Sequence, residues 1–269
     1  MGSTLNRRNS LITVMNALFY VIMALVGLAV GALTGITGGS GVIVVVPFLL
    51  YTGLDFPSSV GSSLLVDLIT SSVVVYQYFR HGNVNWRFAI TMGAGAVIGA
   101  WAGARISVSL PQRLLIYGFF AFSFIMAAEF LMRAVKNVMV RINKLRIRER
   151  YAYIIAMTAS LGVGLITGTL GASGGMMFFM LSMLLFSADV RLMIGTATLS
   201  MMLSATSGAA SYALLGRIDI ADSTIIGLVS LISGFLFASY AHRLSQRAIN
   251  AFLSVVFLLM GTVTLLKVI

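Results

Sequence analysis

The chain has 269 residues, of which 59% are hydrophobic and 9% charged, with a mean hydropathy of +1.02. A soluble domain carries roughly 25% charged residues, so this composition excludes a soluble globular protein and describes a polytopic membrane protein. The net charge of +11 reads as lysine and arginine holding loops at an anionic lipid surface, and not as a nucleic-acid footprint.

The absence of cysteine rules out disulfides and thiolate chemistry. His81 and His242 are too far apart in sequence to form a metal-ligand motif, and no cofactor is implied. No leader with a small-residue cleavage site stands out, so the apolar stretch from Leu11 is expected to stay as a helix. From there the chain reads as two sets of five apolar segments. The first set covers 11–36, 42–53, 57–79, 86–107 and 111–132; the second covers 152–170, 175–187, 190–214, 220–241 and 246–267. The second segment of each set is shorter than the roughly 20 residues that a crossing needs. Between the sets lies RAVKNVMVRINKLRIRERY, with seven Lys/Arg and one Glu between Arg133 and Arg150. This basic linker is expected on the cytoplasmic side.

The two sets are copies of one unit. GALTGITGGSG at 31 returns as GLITGTLGASG at 164, placing Gly31, Thr34, Gly35, Gly38, Ser40 and Gly41 on Gly164, Thr167, Gly168, Gly171, Ser173 and Gly174. After a one-residue slip, Asp55 meets Asp189, Gly61 meets Gly195, Tyr78 meets Tyr212, Gly82 meets Gly216 and Gln112 meets Gln246. The expected fold is therefore an all-α polytopic membrane protein of two homologous five-segment repeats, 1–132 and 151–269, joined by the linker 133–150. Loop charges are distributed almost equally well for parallel and for inverted repeats. Inversion is preferred because paired interrupted helices characterise inverted-repeat transporters.

The glycine-rich stretches break each repeat inside an apolar run. Backbone that leaves a helix within a bilayer exposes N–H and C=O groups, and survives only where protein or a water-filled cavity surrounds it. Residues 36–42 and 169–175 are expected to be non-helical and to face each other near the membrane centre. The helices that start next, at Val42 and Gly175, would aim free N–H groups and a positive dipole end into the gap, which is an anion site made of backbone. The candidate binding residues are Thr34, Gly38, Gly39, Ser40 and Gly41, with Gly171, Ala172, Ser173 and Gly174 from the second repeat. Thr37, Thr167 and Thr169 are further hydroxyl donors. GAGAVIGAWAG at 93–103 is read instead as a small-residue packing face.

Asp67 lies ten residues into its segment, near mid-bilayer, opposite Met201 in the repeat alignment. An isolated carboxylate there is expensive, so it is either a proton-coupling acid or a hydrogen-bonded structural residue. Ser62, Ser63, Thr196 and Thr198 open the third segments beside Gly61 and Gly195 and are candidates for the surroundings of the site. Gln77, Tyr78 and Tyr212 are candidate pore-lining groups. Asp55 and Asp189 precede helices and are expected to act as N-caps, with Pro57 in the first turn. Arg105 and Arg243 end the fourth segments, where they would attract an incoming anion or snorkel to the headgroups. Glu129 sits one turn before Arg133, as a helix-stabilising pair would. No HExxH or GxGD motif and no GxxxxGK[ST] loop occurs, which argues against an intramembrane enzyme and an ATP-driven pump.

The doubled motif also carries a family resemblance. GALTGITGGSGVIVVVP and GLITGTLGASGGMMFFM, with VGSSLLVDL, YFRHGNVNW, IGTATLSMM and YALLGRIDI, resemble the TauE/SafE sulfite-exporter family over roughly residues 25–267. Met180 stands where the second proline would fall, and Ala172 where a glycine would. The resemblance implies a secondary transporter in the cell membrane that moves sulfite or a small organosulfonate such as sulfoacetate outward. An anion channel, or a carrier of another small oxyanion or carboxylate, is the alternative. The expected partners are the small anion and the lipid bilayer, with no nucleic acid; a homodimer is expected only because carriers of this size commonly form one.

Overall fold

The computed structural model describes residues 2–136, 149–171, 174–185, 190–240 and 246–267. Ten helices occur among them: α1 (Gly2–Thr37), α2 (Val42–Thr52), α3 (Phe56–Arg80), α4 (Trp86–Ser109), α5 (Gln112–Lys136), α6 (Glu149–Leu170), α7 (Gly174–Leu185), α8 (Val190–Leu214), α9 (Ile220–Tyr240) and α10 (Gln246–Leu266). Seven contain stretches long and apolar enough to cross a membrane, whereas α2 and α7 have 11 and 12 residues and do not. The described residues contain no strand.

Helix boundaries correct several expectations. The first break spans 38–41, narrower than 36–42; in the second set α6 runs to Leu170 and α7 begins at Gly174, so both ends of 169–175 are helical. Thr37 Oγ1 donates to Leu33 O at 2.6 Å and keeps the last turn of α1 closed. Gly38 N then donates to Thr34 O with φ +65°, and Gly171 N to Thr167 O with φ +67°. This is a left-handed glycine ending a helix, used twice. α5 continues to Lys136 and α6 begins at Glu149, so helix reaches into both ends of the expected linker 133–150. Ala172, Ser173, Asp189, Arg243, residues 137–148 and the Arg133 side chain lie outside what the structure describes.

α3 and α8 form the centre, with 67% of each span buried against 33% for α1, α6 and α9. In lipid there is little hydrophobic force between helices, and close approach of small residues does the packing. Gly27, Gly31 and Gly35 on α1 lie against Ile226, Ser230 and Ala238 on α9, so these helices run parallel. Gly95, Gly99 and Gly103 on α4 lie against Met157, Leu161 and Leu165 on α6, again parallel. GAGAVIGAWAG is thus a packing face. The first helix of each set packs on the fourth helix of the other. α3 and α8 cross antiparallel, Gly61 meeting Tyr212 and Gly195 meeting Tyr78. Paired hydrogen bonds follow the repeat: Asp219 N donates to Ser62 Oγ (2.8 Å) and Asn85 N to Thr196 Oγ1 (2.9 Å). Likewise Tyr78 Oη donates to Gly35 O (3.4 Å) and Tyr212 Oη to Gly168 O (2.8 Å).

Candidate functional site

The two breaks meet between α3 and α8. A β-carbon on Gly175 would lie 3.0 Å from Gly39 Cα and 2.8 Å from Met201 Sδ, and it would collide with Gly38 O. One on Gly39 would meet Met176 Cε at 3.0 Å, and one on Gly171 would meet Val42 Cγ1 at 2.7 Å. Glycine is required at Gly175 because backbone touches backbone, and at Gly38 and Gly171 because φ is positive. Residues 37–47 are all buried, so the first break is enclosed by protein.

Local hydrogen bonds account for the shape of the first break. Gly39 N donates to Thr37 Oγ1 at 3.0 Å and Val42 N to Ser40 Oγ at 3.2 Å. Ser40 Oγ in turn donates to Asp67 Oδ2, and Gly41 N donates to Asp67 Oδ1 at 2.9 Å. Asp67 is 1% exposed. The broken end of α2 is therefore an oxyanion-binding end, as the helix dipole and free amides favour, and it already holds a carboxylate. A free anion about 4 Å from an ionised Asp67 would meet a repulsion of about 4 kcal/mol at an effective dielectric of 20. The two cannot share these donors.

The second break differs. Met201, the repeat partner of Asp67, brings a thioether to Gly175 where α3 brings a carboxylate to Gly41. Thr167 Oγ1 donates to Val163 O at 2.9 Å, and a β-carbon on Gly174 would lie 2.8 Å from that hydroxyl. Its counterpart Thr34 is fully buried, and its hydroxyl has no hydrogen-bond partner among the described residues.

The structure brings Ser40 and Gly41 to Asp67, sets Gly38 and Gly39 against Gly175 and Gly171 against Val42, and keeps Thr34 with Gly38 and Gly174 with Thr167, while other expected site residues stand elsewhere. Ser62 and Thr196 accept the cross-repeat amides, which makes them ties between the copies. Ser63 Oγ bonds back to Val60 O (2.8 Å). Thr198 Oγ1 bonds to Ile194 O (2.8 Å), yet it borders the break, 2.8 Å from where a Gly38 β-carbon would be. Gln77 donates to Ser239 at 2.6 Å, and the two tyrosines hold the ends of α1 and α6 instead of lining a pore. Arg105 is exposed, its guanidinium 5.2 Å from the Trp101 ring centroid, on the outside of the bundle.

Asp55 occupies the N-cap position of α3, but its side chain makes no capping bond. The carboxylate instead pairs with Arg217 at 2.8 Å, drawn to a guanidinium from the other repeat. Gly31 and Gly35 belong to the α1–α9 seam, and only the later glycines of that run form the break. Val30, which closes over Gly41, and Met176 and Met201 were not singled out as site residues. Met201 was findable as the repeat partner of Asp67.

The model of the sulfite exporter TauE/SafE family matches residues 23–264. The chain belongs to this family. The probable membrane transporter protein YdhB of Bacillus subtilis (strain 168) is 24% identical over 224 residues, 83% of this chain and 87% of that protein. YunE of the same organism is 23% identical over 263 residues, covering 90% and 96%, and YjnA is 24% identical over 252, covering 90% and 98%. Both of these are also named probable membrane transporter proteins. No solved structure matches the chain. A multi-pass membrane transporter, and not an enzyme, follows from the family and these relatives.

Proposed function

We propose that the chain is a secondary carrier that moves a small sulfur oxyanion, sulfite or an organosulfonate such as sulfoacetate, outward across the cell membrane. The observation that carries this reading is the pair of broken helices in contact at the core, one of them with its amide end engaged by a carboxylate. Such an end recognises an oxyanion through neutral donors. No lysine or arginine lies in either broken stretch, which favours a small anion of one or two charges that is readily released. The sulfur identity comes from the family. Alternating access would use the two five-helix sets as inverted repeats. What supports inversion is that the equivalent helices α3 and α8 run antiparallel, as a two-fold axis in the membrane plane requires.

The test is flux in proteoliposomes with sulfite, sulfate, sulfoacetate and taurine. Saturable flux of sulfite or a sulfonate, with trans-stimulation by the same anion, is expected. Transport of a cation or an uncharged solute, with none of these anions moved, refutes the proposal. Non-saturating conductance would make the protein an anion channel.

A further inference from the structure

Asp67 is the only acidic or basic residue in the middle third of any described helix. Its carboxylate engages both donors at the opening of α2, Ser40 Oγ with one oxygen and Gly41 N–H with the other. None of the helices packed on α3 gives it a charged partner. Their charged side chains, such as Arg87 and Arg105 on α4, Glu129 on α5, Arg191 on α8 and Asp222 on α9, stand in the outer thirds. Tyr78 and Tyr212, the buried titratable groups of α3 and α8, are bound to Gly35 O and Gly168 O. One turn before the break, the Thr34 hydroxyl is fully buried with no partner among the described residues.

We propose that Asp67 is a tethered stand-in for the transported oxyanion: it holds Ser40 and Gly41 while no cargo is bound, and one proton loads onto it for each anion that takes its place. The inference rests on the carrier reading above. Two anions cannot occupy one pair of donors in a low-dielectric core, so cargo enters only when the carboxylate becomes a neutral acid and swings off. The proton ends on an Asp67 oxygen, and the cargo accepts from Ser40 Oγ, Gly41 N–H and Thr34 Oγ1. The centre carries one negative charge when empty (ionised Asp67) and one when loaded with a monoanion (neutral Asp67 plus cargo). A monoanion and a proton therefore cross together with no net charge moved. The membrane potential does no work on the cycle. Outward flux requires an internal excess of anion above about tenfold for each pH unit by which the outside is more acidic.

The experiment is calorimetric titration of the purified full-length protein with methanesulfonate, whose charge is constant from mildly acidic to mildly alkaline pH. Running it in buffers of different ionisation enthalpy counts the protons exchanged. The expected result is uptake of about one proton per anion, with affinity falling about tenfold per pH unit on the alkaline limb. Asp67→Asn is expected to bind with no proton uptake and no pH dependence. Binding by the wild type without proton uptake, or proton uptake retained by Asp67→Asn, overturns the stand-in and leaves the carrier reading in place. Failure of methanesulfonate and every other oxyanion to bind overturns both. If Asp67→Asn does not fold, the wild-type proton count decides alone, and Ser40→Ala, which keeps the carboxylate, must still take up the proton.

Discussion

Ser62 and Thr196 offer a clean separation of structural from transport roles. Each is nearly fully buried, and each accepts one backbone amide from the loop ahead of the other repeat's fourth helix, Asp219 N at 2.8 Å and Asn85 N at 2.9 Å. Ser62→Ala and Thr196→Val remove the acceptor with little change of volume and leave that amide without its partner. An orphaned donor costs about 1–3 kcal/mol when fully buried, which is the ceiling for these part-buried amides. The two ties lie near opposite ends of α3, at Ser62 and near Tyr78, so their effects should add. The double variant is then expected to lose at least about 1 and at most about 6 kcal/mol in a detergent denaturation series. Calorimetry on the same preparations should give methanesulfonate affinities within about twofold of wild type, below the 1.4 kcal/mol that a tenfold change represents. A tenfold loss of affinity with an unchanged denaturation midpoint refutes the assignment and returns these hydroxyls to the binding site.

Gly99→Leu drives a side chain into Leu161 O, with Leu165 N 2.7 Å from its β-carbon. It is expected to cost at least about 1–3 kcal/mol, while Gly162→Leu, where a β-carbon meets nothing within 4 Å, should change the denaturation midpoint little. Asp55→Asn and Arg217→Met should each cost no more than about 1 kcal/mol, because the pair is 36–41% exposed. That small loss should vanish in high salt; a loss several times larger would show the pair to be part of a cooperative lock between the repeats.

The ten segments and their duplication were legible in the chain because hydropathy and glycine spacing are local signals. Gly38 and Gly171 could be placed for the same reason: a glycine with positive φ ends a helix wherever it stands. Gly31 and Gly35 show the limit of that signal. They sit in the same run as the break, but the four-residue spacing from Gly27 belongs to a seam with α9, some 200 residues away in sequence. The partner of Asp67 was out of reach, since Ser40 is 27 residues distant and nothing in either stretch advertises the pairing. Asp55 was placed correctly at the start of a helix, yet its side chain answers to Arg217, 162 residues on. Ser62 and Thr196 were noticed through their recurrence, which identified the positions as equivalent. It could not say whether they serve cargo or the joint between the copies.

The difference between the repeats leads to the last prediction. At one broken end the core supplies Asp67, and at the other Met201, fully buried, whose Sδ lies 2.8 Å from where a Gly175 β-carbon would stand. If an internal carboxylate regulates access to a helix end, its location is exchangeable, because a short helix opens just after a positive-φ glycine, Gly38 or Gly171, in both sets. Met201→Asp alone places a second carboxylate at the core, where two ionised acids repel each other and both helix ends are engaged. With charge-assisted hydrogen bonds worth about 1.5–3 kcal/mol each, methanesulfonate binding is expected to weaken by at least about tenfold. Asp67→Asn combined with Met201→Asp returns the core to one carboxylate, now at the start of α7. Binding should recover, and with it the proton taken up per anion that Asp67→Asn alone lacks. Met201→Leu, which keeps the volume without the charge, should leave both affinity and proton count near wild type. If the double variant folds and binds without taking up a proton, the two ends are not equivalent, and the coupling belongs to the surroundings of Ser40 and Thr34 in the first repeat alone.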